Sequence, residues 1–278
     1  MIELFHTVSH ECSKITAERY STSFSSAIRM LHNDLRMPVY DIYGFVRFAD
    51  EIVDTFHGFD KANLLAEFKK ETYESIKRKI SLNPILHSFQ ITVNKYNIDH
   101  ALIEAFFNSM EMDLSEKQYD ASAYSTYIYG SAEVVGLMCL YVFCNGDKVE
   151  YEKLRPSAQS LGAAFQKINF LRDLKADHEQ LNRTYFPGVN FKNFTETDKE
   201  IIENDIAKDL KYAYKGIVML PNKARFGVYV AYKYYLTLFK KIKSAEPAVL
   251  LQNRVRISNT FKAVILVKAG LRSSFNSL

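Results

Sequence analysis

The stretch RFADEIVD, Arg47 to Asp54, places an arginine and two aspartates in an otherwise largely apolar segment. On a helix that advances 100° per residue, Tyr43, Arg47, Asp50 and Asp54 fall within about 60° of one another. The neighbouring arc is apolar and consists of Ile42, Val46, Ala49 and Val53. The pattern therefore predicts a helix whose polar stripe borders its buried side and does not face bulk water.

A second stretch, QKINFLRDLKAD from Gln166 to Asp177, repeats the four-residue spacing of aspartates. Gly162, Gln166, Asn169, Asp173 and Asp177 share an arc of about 80° on a helix. Aspartate is a poor helix former, and like charges four residues apart repel by a few tenths of a kcal/mol. One such pair is typical of a solvated helix with structural ion pairs. Two aspartate pairs, each beside an arginine, favour a ligand that both pairs bind.

The chemistry of these side chains indicates what that ligand is. Magnesium prefers oxygen ligands and typically binds one or two carboxylates together with substrate phosphates. Facing aspartate pairs therefore predict a site that holds a diphosphate through Mg²⁺, with Mn²⁺ as the alternative ion. Arg47, Arg172 and Arg183 would add the planar guanidinium groups that suit phosphate oxygens. The eighteen tyrosines and twenty phenylalanines could line an apolar cavity and stabilise a carbocation by cation–π attraction.

The rest of the chain predicts an all-α protein. Only ten glycines and six prolines interrupt 278 residues, and apolar residues recur at three- and four-residue intervals. No linker-like segment divides the chain, so we expect one domain over 1–278. In NRTYFPGVNFKNF, Pro187 and Gly188 predict a loop that could close over the second aspartate pair. Helices are expected over 8–31, 37–56, 61–80, 83–95, 99–113, 121–145, 150–179, 195–220, 222–244 and 247–271.

Charge and cysteine content limit the partners and the location. A net charge of +4, dispersed along the chain, argues against nucleic acid. Three cysteines without a CxxC pair fit a reducing cytoplasm, and the N-terminus shows no secretory pattern. The segment KYYLTLFKKIK near Lys233 to Lys243 could contact an anionic membrane. A solvated helix with its apolar side in the core is the favoured interpretation, and the oligomeric state stays open.

Four motifs resemble the squalene and phytoene synthase family of head-to-head prenyltransferases, and within it the bacterial phytoene synthases. They begin at Tyr20, Tyr43, Tyr127 and Gly162, and read YSTSFSSAIRML, YGFVRFADEIVD, YIYGSAEVVG and GAAFQKINFLRDLKADHEQLNRTYFP. The last is the most specific, because it is long and ordered. The chain departs from the family at two positions. Thr22 stands where many members carry lysine, and Glu133 replaces a glycine of the tyrosine motif.

The resemblance implies a role for each matching residue. The implied metal ligands are Asp50, Asp54, Asp173 and Asp177. The implied catalytic residues are Tyr43, Arg47, Tyr127 and Tyr129. The implied substrate-binding residues are Ser23, Phe24, Arg47, Gln166, Asn169, Arg172, Arg183 and Tyr185.

The resemblance also implies an isoprenoid-synthase-type helical bundle with a central cavity. The expected substrate is a prenyl diphosphate, with two geranylgeranyl diphosphates giving phytoene without NADPH. The alternatives are a squalene or dehydrosqualene synthase that uses farnesyl diphosphate, and a non-catalytic assembly protein of the same fold. A di-iron bundle would need paired ExxH motifs, which the sequence lacks. We expect a cytoplasmic protein that contacts the inner face of the membrane when it releases its product.

Overall fold

The computed structural model describes residues 2–115, 119–179, 185–189 and 194–274, apart from the side chains of 176–179 and 271–274. Within these ranges every element of regular structure is helical, which confirms the all-α prediction. The helices are α1 (Ile2–Tyr20), α2 (Thr22–Ile28), α3 (Asn33–Thr55), α4 (Lys61–Arg78), α5 (Pro84–Tyr96), α6 (His100–Ser115), α7 (Ala121–Ile128), α8 (Val134–Cys144), α9 (Lys148–Glu179), α10 (Glu196–Ile217), α11 (Asn222–Lys243), α12 (Pro247–Gln252) and α13 (Asn259–Ser274).

Two expected helices are each divided in the structure. The segment predicted as one helix over 8–31 is broken at Ser21, whose extended backbone (φ −143°) caps α2 and whose hydroxyl accepts from the Phe24 N–H. The segment predicted over 247–271 is broken after Gln252, where Asn253 is extended (φ −137°). Serine and asparagine compete with the helix by bonding nearby backbone groups, so they favour such ends.

Two apolar clusters form the core. The first is built mainly on α3, α5, α6 and α8, and at its centre the rings of Phe45 and Phe89 stack with centroids 3.9 Å apart. The second is built mainly on α9, α10, α11 and α13, with Tyr229 and Ile242 among its buried members. Side chains of both clusters line one central cavity. This arrangement confirms the predicted bundle with a cavity at its centre.

Two glycines let the helices around this cavity approach closely. A Cβ on Gly162 of α9 would lie 2.6 Å from the carbonyl oxygen of Ala132. A Cβ on Gly130 would lie 2.4 Å from the carbonyl oxygen of Ala105 on α6. Both contacts involve the π-helical turn Tyr129–Glu133, which joins α7 to α8. Because carbonyl oxygens cannot move aside as side chains can, larger residues would push this turn away from α6 and α9.

The apolar character of two segments has a structural explanation. Ala121–Cys144 is long and apolar enough, with a mean hydropathy of 1.5, to be compared with a membrane span. Half of that window is buried inside the protein, as expected for a core helix. In α11, Tyr235, Leu238 and Phe239 are buried. The interpretation of the KYYLTLFKKIK segment as a helix with its apolar side in the core is therefore confirmed.

Candidate active site

A cavity of about 640 Å³ lies between the two apolar clusters and receives both aspartate stripes. One part of its wall is polar and includes Asp50 and Asp54 of α3 together with Asp173 of α9. The remaining wall is mainly apolar. Its small and aliphatic members include Ala27, Ile28, Leu31, Ile42, Val46, Gly136, Leu140, Leu154, Ala158, Gly216, Ile217, Leu220 and Gly227. The cavity is therefore suited to a molecule with a charged group and a long hydrocarbon.

On the α3 side, Arg47 organises the polar wall. Its guanidinium donates one hydrogen bond to the carboxylate of Asp50 and another to that of Glu51. The Tyr20 ring covers the guanidinium, with 4.4 Å between the ring centroid and Cζ. The buried Nε of Arg47 has no hydrogen-bond partner among the described residues. A buried N–H without a partner is costly, and an anion in the cavity would satisfy it.

On the α9 side, two arginines hold Asp173. Arg172 donates from Nε to Oδ1 over 3.0 Å and from Nη2 to Oδ2 over 2.5 Å. Arg254, from the segment between α12 and α13, approaches Oδ1 with its Nε at 2.7 Å and Oδ2 with its Nη2 at 3.3 Å. Both arginines line the cavity. One carboxylate thus anchors two cations on the polar wall.

Next to this wall, four aromatic rings from four different helices pack together. The rings of Phe165 (α9) and Tyr235 (α11) stack with centroids 3.8 Å apart. Phe24 of α2 lies 5.6 Å from Tyr235 and 6.1 Å from Tyr43 of α3. The Tyr235 hydroxyl donates to Oδ1 of Asn169 over 3.2 Å, which fixes that amide beside Asp173. We call Phe24, Tyr43, Phe165 and Tyr235 the aromatic box.

A second aromatic group is centred on Tyr185. Its ring stacks on Phe170 with centroids 3.9 Å apart and lies 5.2 Å from Tyr127. The buried Tyr127 hydroxyl donates to Oδ2 of Asp113 over 2.9 Å. Because the carboxylate accepts this hydrogen bond, the position of the Tyr127 ring is fixed along the cavity wall. Tyr119 packs on the same group, 5.0 Å from Tyr127.

Burial keeps the phenols of the cavity wall protonated. It raises the pKa of Tyr43 to about 12 and raises the pKa values of Tyr127 and Tyr235. All three hydroxyls are therefore neutral donors near neutral pH. A neutral ring still presents its negative face to a cation, so these residues can stabilise positive charge without forming a covalent bond to it.

The side chains of the polar wall fit a hard divalent cation. The available ligands are carboxylate oxygens of Asp50, Asp54 and Asp173 and amide oxygens of Gln166 and Asn169, a set that suits Mg²⁺ and Mn²⁺. Among the described residues, no group of three or more acidic, histidine or cysteine side chains is placed to hold a metal by itself. Phosphate oxygens and water would complete the coordination.

The structure brings most of the expected site residues to this cavity. Those that line it are Phe24, Tyr43, Arg47, Asp50, Asp54, Tyr127, Gln166, Asn169, Arg172, Asp173 and Tyr185. Ser23 and Tyr129 are not among the lining residues; Ser21 lines the cavity, and Tyr129 packs against the first apolar cluster. Asp177 lies on the backbone of α9, but its side chain is outside the described residues, as is the whole of Arg183.

Two polar residues of the site, and one cation outside it, were missed by sequence reasoning. Asp113 and Arg254 belong to no recognised motif, and they reach the cavity only through the packing of α6 and of the segment after α12. Lys262 of α13 places its Nζ 2.6 Å from the hydroxyl of Thr22. Thr22 and Lys262 both line a separate groove outside this cavity, and burial and the charge of Arg172 lower the pKa of Lys262. Only the departure at Thr22 was visible in the sequence.

Known proteins resemble the chain in sequence and in fold. The family described as squalene/phytoene synthase matches residues 17–260. A phytoene synthase of Arthrospira platensis is 26% identical over 94% of this chain and 92% of its own length. A chloroplastic phytoene synthase 3 of Zea mays is 23% identical over 95% of this chain, which spans 66% of the maize protein. The crystal structure of a dehydrosqualene synthase in complex with ligand superposes with a TM-score of 0.83 at 19% identity, covering 98% of both chains.

Proposed function

The chain belongs to the squalene and phytoene synthase family of head-to-head prenyltransferases, and on this premise we propose that it converts two geranylgeranyl diphosphates into phytoene. The observation that carries the proposal is one cavity whose wall combines Asp50, Asp54 and Asp173 with an apolar surface. A prenyl diphosphate has two matching parts, a charged diphosphate group and a long hydrocarbon chain. The proposed reaction takes place in the cytoplasm.

The proposed reaction has two stages, each with one ionisation. In the first, the C–O bond of one substrate breaks and diphosphate leaves with the electron pair. The double bond of the second substrate attacks the allylic cation, and loss of a proton gives a cyclopropylcarbinyl diphosphate. In the second stage this diphosphate leaves in turn, the carbon skeleton rearranges, and loss of a second proton gives the hydrocarbon. In total, two diphosphates and two protons are released for each hydrocarbon molecule formed, and no reductant such as NADPH is consumed.

The arginines of the polar wall bind and orient the departing diphosphates. Arg47, Arg172 and Arg254 pair with carboxylates in the structure, so anion binding would exchange those partners for phosphate oxygens. Guanidinium groups suit this role because they stay charged and donate two parallel hydrogen bonds.

Asp50, Asp54 and Asp173, with the amide oxygens of Gln166 and Asn169, would hold the metal, and Asp177 is proposed as a further ligand. Magnesium, when bound, neutralises charge on the leaving diphosphate; manganese is the alternative ion. The two carboxylate stripes lie on different helices that line one cavity, which supports a site shared between them.

The aromatic box stabilises and protects the cationic intermediates. A desolvated cation over an aromatic face gains about 2 kcal/mol or more. Tyr185 and Phe170 form the adjacent wall, and this wall would help to exclude water, which captures carbocations as alcohols. Arg183, outside the described residues, is proposed to belong with Tyr185 to a flap over the site.

The small and aliphatic residues of the apolar wall support the longer substrate. Ala27 and Ile28 of α2 line the cavity, whereas Ser25 and Ser26 line a separate groove. Gly216 and Gly227 lie on the α10 and α11 sides of the wall, where they pack closely against Ser157 and Leu31. Five extra carbons per substrate gain several kcal/mol if they are buried at ~0.8 kcal/mol each, provided that the cavity receives them. We therefore propose geranylgeranyl over farnesyl diphosphate.

Product identification tests the proposal. Purified protein is incubated with magnesium and with geranylgeranyl or farnesyl diphosphate, with and without NADPH, and the hydrocarbon is identified. Phytoene that forms without NADPH is the expected result. Preferential conversion of farnesyl diphosphate would establish the squalene or dehydrosqualene alternative. Diphosphate binding without turnover of either substrate would favour the non-catalytic assembly protein.

A further inference from the structure

The outward face of α13 is apolar. Phe261 is 52% exposed, Val264 43% and Val267 63%, although all three lie on a well-formed helix. At 100° per residue their side chains share an arc of about 120°. The adjoining side of the helix, with Ile265 and Ala269, is buried in the second apolar cluster. A surface helix normally turns polar residues outward, so this face requires an explanation.

The segment that carries this face contains basic residues and no acidic ones. From Asn253 to the end of the chain there is no aspartate or glutamate, and the basic residues are Arg254, Arg256, Lys262, Lys268 and Arg272. Lys268 is exposed on α13 itself. Lys241 of α11 adds a further cation, with its Nζ 2.7 Å from the carbonyl oxygen of Arg256. A partner for this face should therefore be apolar and negatively charged.

A groove of about 610 Å³ runs between α13 and the helices α1 and α2. Ile15, which is 55% exposed, and Leu266 form apolar parts of its wall. Its polar wall carries the guanidinium groups of Arg19 and Arg29, and Glu18 approaches Arg29 at 3.9 Å. Arginine beside aliphatic surface suits a phosphate group that is attached to an acyl chain.

We propose that α13 docks this protein on an anionic phospholipid bilayer. The rings and methyl groups of Phe261, Val264 and Val267 enter the boundary between headgroups and acyl chains. Lys268 and the neighbouring cations contact lipid phosphates, and the groove beside Arg19 and Arg29 receives a headgroup. Amphipathic helices with basic flanks bind membranes in this orientation. The docking follows from the surface alone and does not depend on which prenyl diphosphate is the substrate.

Vesicle sedimentation with the full chain, without substrate, tests the docking. The vesicles are phosphatidylcholine alone, or phosphatidylcholine with about a third of phosphatidylglycerol. We expect at least tenfold tighter binding to the anionic vesicles. Phe261→Ser should weaken it about tenfold, because a large apolar side chain leaves the interface. Lys268→Gln should weaken it about fivefold, the effect of one charge near the surface. Leu82→Ser, which removes a 93% exposed leucine between α4 and α5, is the control and should bind like the wild type.

Three results would overturn the proposal. Equal binding to neutral and anionic vesicles would show that the basic residues do not contribute to docking. Equal loss in Phe261→Ser and Leu82→Ser would show that any exposed apolar residue suffices. Gel filtration that shows a dimer of the wild type and a monomer of Phe261→Ser would identify the face as an interface between two copies of the chain. Turnover measured without vesicles reports on the enzyme separately, and we expect Lys268→Gln to leave it unchanged.

Discussion

Replacing Arg254 with glutamine tests whether the segment after α12 is part of the active site. Arg254 is half exposed and holds Asp173 through contacts of 2.7 and 3.3 Å. Glutamine keeps polarity but removes the charge and the paired donors. A hydrogen bond to a charged group contributes roughly 1.5–3 kcal/mol. If that interaction is transferred to diphosphate in the transition state, kcat/KM should fall about 10- to 150-fold, since each 1.36 kcal/mol is tenfold.

The assay is diphosphate release with geranylgeranyl diphosphate in the absence of vesicles, together with urea unfolding of the same samples. The free energy of unfolding should change little, because exposed ion pairs contribute about 0–1 kcal/mol. Arg256→Gln is the matched control, two residues away, exposed and not part of the cavity wall. Near-normal kcat/KM in Arg254→Gln, or an equal loss in Arg256→Gln, would refute the role of Arg254.

Three further predictions follow from the same site and its support. Asp50→Asn and Asp173→Asn should each abolish turnover while circular dichroism stays unchanged; activity that survives removal of all divalent metal would contradict the metal site. Ile28→Phe should narrow the apolar wall and shift preference toward farnesyl diphosphate in a competition assay, and an unchanged product ratio would refute this. The hydrogen bond to Asp41 raises the pKa of His10 above 6.5, so the folded chain holds that proton more tightly than the unfolded chain does. This stabilisation is complete below about pH 6.5 and is lost as pH rises through the raised pKa. In urea unfolding, the free energy of unfolding of His10→Asn should decline less than that of the wild type as pH rises over this range. An identical pH dependence of the two proteins would contradict the role of the His10–Asp41 pair.

The residues that could be predicted from sequence are those whose position follows from helical spacing. Tyr43, Arg47, Asp50 and Asp54 share one stripe on α3, and this periodicity alone places them on one side of the helix. The same holds for Gln166, Asn169 and Asp173 on α9. Helix geometry is local, so a pattern within twenty residues is enough to establish it.

Two helix breaks were missed for a local reason, and both matter to the site. Neither contains glycine or proline, which are the strongest signals for a break. Ser21 ends the continuity of α1 and α2 through a side-chain bond to one backbone N–H. Asn253 begins an extended segment in the middle of an apolar pattern. These breaks place Ser21 and Arg254 on the cavity wall, where a continuous helix would have carried their side chains elsewhere.

The cation beside Thr22 shows why contacts between distant helices could not be predicted. The family resemblance marks Thr22 as a position where lysine is expected, so reasoning from the sequence predicts that one phosphate contact is missing there. In the structure Lys262, 240 residues further along the chain, brings its ammonium to the Thr22 hydroxyl. The shorter threonine side chain leaves space for that approach, and its oxygen can accept the hydrogen bond. A cation beside Thr22, in the groove between α13 and the helices α1 and α2, is thus supplied by tertiary packing between α2 and α13, and no pattern within either helix records it.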